Sequence, residues 1–139
     1  MIIIYPKDDG GVEIVIPAPK WLKDGGTMEK LAAKVVPEGK KYKIVEESAV
    51  PSDRTFRDAW ENYESVTTNV TKAKEITKTR LRVEREPKLL EQDTLFMKAL
   101  EAGSDTTAIV KEKNRLRDIT KQVDSVSDLD KLKALSTDE

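Results

Sequence analysis

The apolar residues change period along the chain. Ile2-Ile3-Ile4-Tyr5 is a continuous run, and after Lys7-Asp8-Asp9-Gly10-Gly11 the residues Val12, Ile14 and Ile16 alternate with Glu13 and Val15. Two strand-like segments joined by an Asp-Gly-Gly turn, which supplies positive-φ positions, predict an antiparallel hairpin. Pro17 and Pro19 end the second strand because proline cannot donate to a ladder, and Trp21 and Leu22 then fold back over the sheet. After Gly25-Gly26, Thr27 is a good N-cap. Met28, Leu31, Ala32 and Val35 share one face of a short helix that Pro37 stops, although Lys30 stands where a capping box would place Glu. Tyr42, Ile44 and Val45 predict a third strand within 41–46, so the first fifty residues form a ββαβ unit.

The segment Pro51-Ser52-Asp53-Arg54-Thr55-Phe56-Arg57-Asp58-Ala59-Trp60-Glu61 joins this unit to the helical half of the chain. Ser52 or Asp53 is placed to cap a short helix after Pro51, on which Phe56 and Trp60, four apart, share a face. Two readings stand. In the first, the aromatic pair docks the junction onto the sheet and the arginines pair with nearby acids. In the second, Arg54, Phe56, Arg57 and Trp60 form a protein-docking surface, because Trp and Arg are enriched at interface hot spots.

From Thr68 onward the period is helical, with Asn69 as a candidate cap and Val70, Ala73, Thr77 and Leu81 three and four apart. Pro87 falls inside the pattern and predicts a kinked or nearly continuous helix. Leu89, Leu90, Phe96, Met97 and Leu100 carry the apolar face on to Gly103, a C′ residue, and Ser104 or Asp105 caps the next helix. Its stripe of Ile109, Leu116, Ile119 and Val123 has the period to fold back on Leu90–Leu100 as an antiparallel helical hairpin. Asp93 lies on the stripe, where a lone carboxylate is costly to bury, so a structural ion pair with Arg115 or Arg117 is expected. Ser125 or Ser127 caps a short last helix bearing Leu129, Leu132 and Leu135, and the final four residues are expected to fray. The expected fold class is α+β: a small antiparallel ββαβ head, residues 1–62, then a helical hairpin and tail, residues 63–139.

Composition removes more than it adds. Of 139 residues 37% are charged and 5% aromatic, and the formal net charge of −1 gives no global field to draw in nucleic acid or an anionic membrane. Histidine and cysteine are absent, which excludes disulfides, thiolate nucleophiles, imidazole bases and the common zinc and iron ligand sets. The longest apolar run is too short for a membrane span or a signal-peptide core. Lys7-Asp8-Asp9-Gly10 lacks the alternating oxygen ligands and distal glutamate of a calcium loop, and no phosphate-cradling glycine loop occurs. The basic residues Lys72, Lys74, Lys78, Arg80, Arg82 and Arg85 are interleaved with Glu75, Glu84 and Glu86, as on a solvated helix face laced by i,i+4 pairs. The residues therefore predict no catalytic, metal or cofactor site and no nucleic-acid, membrane or small-molecule partner.

The chain resembles a family of small proteins of tailed bacteriophages, especially those of marine bacteria. The resemblance rests on Pro51-x-Asp53-Arg54-Thr55-Phe56-Arg57-x-Ala59-Trp60, on Lys72-Ala73-Lys74-Glu75-Ile76 with Arg80, Arg82 and Arg85, and on Leu90-x-x-Asp93, Ala99-Leu100-Glu101-Ala102-Gly103 and Leu116-Arg117-Asp118-Ile119-Thr120. It spans most of residues 1–121. The helical part is similar, more loosely, to phage tail and tail-fibre assembly chaperones. The resemblance implies a non-enzymatic viral protein that binds a tail or fibre protein, or itself, in the host cytoplasm during assembly or in the virion. A structural subunit of the virion is one alternative, and an early phage protein that binds a host factor is another.

Overall fold

A computed structural model of the chain describes residues 1–138. It is an α+β fold of two compact units, Met1–Asn69 and a second that begins at Val70. The boundary lies beyond residue 62 because residues 63–69 complete a β-ribbon of the first unit.

That unit contains β1 (Ile2–Pro6), β2 (Val12–Val15) and β3 (Lys43–Val45) in an antiparallel sheet of order β2-β1-β3. Ile3 pairs with Val15 on one side and Ile44 on the other. The central position of β1 explains its unbroken apolar run, since a strand covered on both faces needs no polar alternation. Ile2 and Ile4 join Val12, Ile14, Val50 and Trp60 on one face, while Ile3 meets Met28 and Ala32 on the other. In the β1–β2 turn Gly10 takes φ +84°, and Asp9 Oδ1 accepts the Gly11 N–H at 2.8 Å.

Helix α1 (Pro19–Lys23) has proline at its start, and α2 (Met28–Val35) is capped by Thr27 Oγ1, which accepts the Lys30 N–H at 3.2 Å. Val35 turns outward and Val36 packs on the sheet side instead. Trp21 does not cover the sheet. Its indole lies on Gly26, where any Cβ would collide with the ring, donates to Thr27 O at 3.1 Å and carries the Lys34 ammonium 4.7 Å from the ring centroid.

No α-helix follows Pro51. Asp53 Oδ1 accepts both the N–H and the hydroxyl of Thr55, at 2.9 and 2.7 Å, a local turn that competes with helix formation. A single 3-10 turn at Arg57–Ala59 then leads into β4 (Trp60–Glu61), which pairs with β5 (Thr67–Thr68). Asn62 turns the ribbon with φ +57°.

In the second unit α3 (Val70–Glu101) runs unbroken through Pro87, and its 32 residues span about 48 Å. Pro87 is tolerated because it and Val83, whose carbonyl it leaves unbonded, both lie on the exposed side, where water reaches that oxygen. Gly103, at φ +65°, ends α3 in a Schellman motif: Ser104 N–H donates to Ala99 O at 2.8 Å and Gly103 N–H to Leu100 O at 3.1 Å. Helix α4 (Thr107–Asp118) folds back, preceded by Asp105, whose Oδ1 accepts from the Thr107 N–H and hydroxyl. Helices α5 (Lys121–Asp124) and α6 (Leu129–Ala134) follow, the latter capped by Asp128 instead of by a serine. Buried side chains concentrate in the first half of α3 (Ala73, Thr77, Leu81) and in the chain after Arg115 (Leu116, Ile119, Val123, Leu132). The expected fraying does not extend to Ser136–Asp138: Thr137 is buried, its carbonyl accepts from Arg115 at 2.9 Å, and Asp138 pairs with Lys88. Glu139 lies outside the described residues.

Candidate functional site

The four docking candidates of the junction separate by burial. Trp60 is 1% exposed and Phe56 is also buried, Trp60 within the cluster of Ile2, Ile4, Val12, Ile14 and Val50. Neither ring is offered to a partner, which corrects the docking expectation for both: the strand conformation of Trp60 directs its ring into the sheet. Arg57 Nη2 sits 3.4 Å from Glu13 Oε1, and Lys7 approaches the other oxygen of the same carboxylate at 3.7 Å. Arg54 is exposed and, with Glu47, Ser48, Val50, Pro51 and Ser52, lines an open hollow of about 380 Å³.

The basic series on α3 does something the sequence did not announce. Lys74 donates to Asp124 O at 3.0 Å, Arg80 to Leu132 O and Leu135 O at 3.2 and 2.8 Å, and Arg85 to Leu116 O and Arg117 O at 3.3 and 2.8 Å. These carbonyls belong to the last turns of α5, α6 and α4. A helix C-terminus carries unbonded carbonyls and partial negative charge, so each cation supplies both a donor and a complementary charge. Arg80 also makes an i,i+4 pair of the expected kind, with Glu84 at 2.7 Å. Lys78 reaches Asp124 at 2.7 Å, and that hydrogen bond lowers the aspartate pKa and raises the lysine's. The uneven spacing of Lys74, Arg80 and Arg85 follows three different helix ends, so no periodicity could have exposed it.

Asp93 pairs with Lys113, at 2.5 Å, and not with Arg115 or Arg117. The carboxylate is more than half exposed, so this pair is a surface contact that also brings Lys113 within 5.0 Å of the Phe96 ring centroid. Arg115 instead grips Glu112 through two hydrogen bonds, at 2.9 and 2.7 Å, which lower the glutamate pKa. Arg117 reaches Asn114 at 3.4 Å.

Beyond Leu81 the two faces of α3 diverge. Leu89, Gln92, Phe96 and Ala99 are half-buried, whereas Val83, Leu90 and Met97 are 69%, 68% and 57% exposed. Seven residues turn a helix about 700°, some 20° short of two full turns, so Val83, Leu90 and Met97 form one line. Leu81, about 200° from Val83, lies on the opposite side. Leu90 and Met97 therefore leave the inward stripe expected of them, and Leu100 is exposed as well. The seven-residue interval was visible in the sequence, but three- and four-residue steps also link these residues to Leu89 and Phe96. The arrangement suits apolar contact with another surface at three points about 10.5 Å apart along the helix, with the exposed Pro87 and Thr94 between them.

Among the described residues no group of His, Cys, Asp or Glu is placed to hold a metal, and no helix is long and apolar enough to cross a membrane. Comparison with known proteins finds no family model, no curated protein and no solved structure that matches the chain.

Proposed function

We propose that the chain is a non-enzymatic binding protein of a tailed bacteriophage, acting in tail or tail-fibre assembly by docking another phage structural protein on the outer face of α3. The observation that carries the docking reading is the line Val83, Leu90 and Met97, the three most exposed large hydrophobic side chains among the described residues of the second unit. Fully burying one such side chain contributes at most roughly 1.5–3 kcal/mol, a gain from which association must first offset its entropic cost. The phage setting is supported by the Pro51–Trp60 motif and the helical segments that resemble the small phage family. Arg54, at its open hollow, remains a candidate polar contact for the same class of partner.

Purification with co-expressed tail and fibre proteins tests the reading. A stable complex that Leu90→Glu disrupts supports it, and wild-type chain that binds none of them contradicts it. Mass spectrometry of finished particles separates an assembly factor, absent from them, from a structural subunit, present in them.

A further inference from the structure

The hollow that Arg54 helps to line is built from one short stretch of chain, residues 47–54, whose backbone is fixed at both ends. At the first end the 3-10 turn Glu47–Ala49 is closed by Ala49 N–H, which donates to Glu46 O at 3.0 Å, and is followed by Val50 N–H on Glu47 O at 3.3 Å. At the other end Asp53 Oδ1 holds Thr55, and Arg57 N–H donates to Arg54 O at 3.0 Å. Between them Val50 is buried in the core that includes Ile2 and Trp60, and the ring of Pro51 fixes its φ. A concavity whose backbone is already set loses little freedom when it is occupied.

The lining is two-sided in charge. Glu47 and Arg54 face the same hollow with opposite signs, yet neither side chain forms an ion pair or a hydrogen bond among the described residues. The neighbouring acid, Asp53, is engaged by Thr55, and the neighbouring cation, Arg57, by Glu13. Val50 and Pro51 add apolar surface, and Ser48 and Ser52 add hydroxyls. A volume of about 380 Å³ falls at the small end of the roughly 300–1,000 Å³ typical of sites for small ligands.

We propose that this hollow binds a zwitterion of amino-acid size, its carboxylate on Arg54, its ammonium on Glu47 and its apolar body against Val50 and Pro51. The charges select the ligand. A simple anion or a simple cation meets one attractive and one repulsive group here, whereas a ligand that carries both charges satisfies both. Both protein charges are exposed and the hollow is open, so each contact contributes modestly and affinity is expected in the millimolar range. This is a use of Arg54 independent of the outer face of α3.

The test follows backbone amide NMR signals of the isotope-labelled full chain during titration with leucine, with leucinamide, which lacks the carboxylate, and with N-acetylleucine, which lacks the ammonium. Leucine is expected to shift the signals of residues 47–54 saturably, and removing either charge to weaken binding about threefold, the worth of one exposed ion pair. Arg54→Gln should erase the preference for leucine over leucinamide, and Glu47→Gln the preference for leucine over N-acetylleucine. The capped ligands probe the same two contacts on the wild-type protein, so the outcome does not depend on either variant folding. No saturable shift with leucine up to tens of millimolar, equal binding of either capped ligand, or a preference that survives in the matching folded variant overturns the proposal.

Discussion

At the Arg80 guanidinium, one nitrogen lies within 3.4 Å of three carbonyl oxygens, those of Leu132, Lys133 and Leu135, all at the end of α6. A hydrogen bond from a charged donor contributes about 1.5–3 kcal/mol, and the partial exposure of this site places the total towards the lower bound. Arg80→Ala is therefore expected to destabilise the second unit by about 1–2 kcal/mol and to speed amide exchange selectively at 129–135. Arg80→Lys recovers less than half of that, because one ammonium cannot reach the α6 carbonyls and Glu84 together as the two guanidinium nitrogens do. Equal exchange rates in all three proteins would remove Arg80 as the clasp of α6. In the first unit, Gly26→Ala pushes a methyl into the Trp21 ring, so the fluorescence of Trp21 should shift to that of a solvated indole. At this scale the sequence told which residues are special more readily than why. Trp60 and Arg57 stand out by type, but only the pairing of Trp60 with Thr68 and the nearness of Arg57 to Glu13 reveal a core ring and an ion pair instead of a docking face.

Helix α3 places Lys72 in its first turn, where the macrodipole disfavours positive charge, and Lys74 and Lys78 in the next two. Asp124 at the end of α5 meets Lys74 and Lys78, which ties the start of α3 to the chain that returns over it. Pro87 is the other internal weakness. Pro87→Ala restores one hydrogen bond on an exposed face and is expected to raise the melting temperature of the helical signal, a gain of about 1–3 kcal/mol; a fall would show that the proline is required by the fold. Acid should act on the same elements. Asp105, Glu112, Asp124 and Asp138 all have lowered pKa values, held down mainly by hydrogen bonds from Thr107, Arg115, Lys78 and Lys88 respectively. A carboxylate with a depressed folded pKa stabilises the fold above its unfolded pKa and loses that contribution as pH falls through the folded one. The helical ellipticity is thus expected to melt at progressively lower temperature below about pH 4.5, with no such trend between pH 6 and 8. The hairpin, the Thr27 cap and the Gly103 stop were legible because each has a local chemical cause. The β4–β5 ribbon was not: strands of two residues carry no period, and the turn at Asp53 suppresses the helix that Phe56 and Trp60 suggest.

At the scale of the molecule, the two units divide the labour of being read. Both tryptophans lie in the first, so indole fluorescence follows it, while far-ultraviolet ellipticity is dominated by the helices of the second. The general α+β architecture follows from hydrophobic period alone. The outward line on α3 does not, because the same residues satisfy either an inward or an outward assignment until α4 fixes the seam. That line is where the proposed function rests, and its most direct test is calorimetric titration of the intact protein with its co-expressed tail or fibre partner, comparing wild type with Leu90→Glu/Met97→Glu. Unchanged helical melting with affinity reduced at least about tenfold, a change of about 1.4 kcal/mol, is the expected result; undiminished affinity in a folded variant would contradict it.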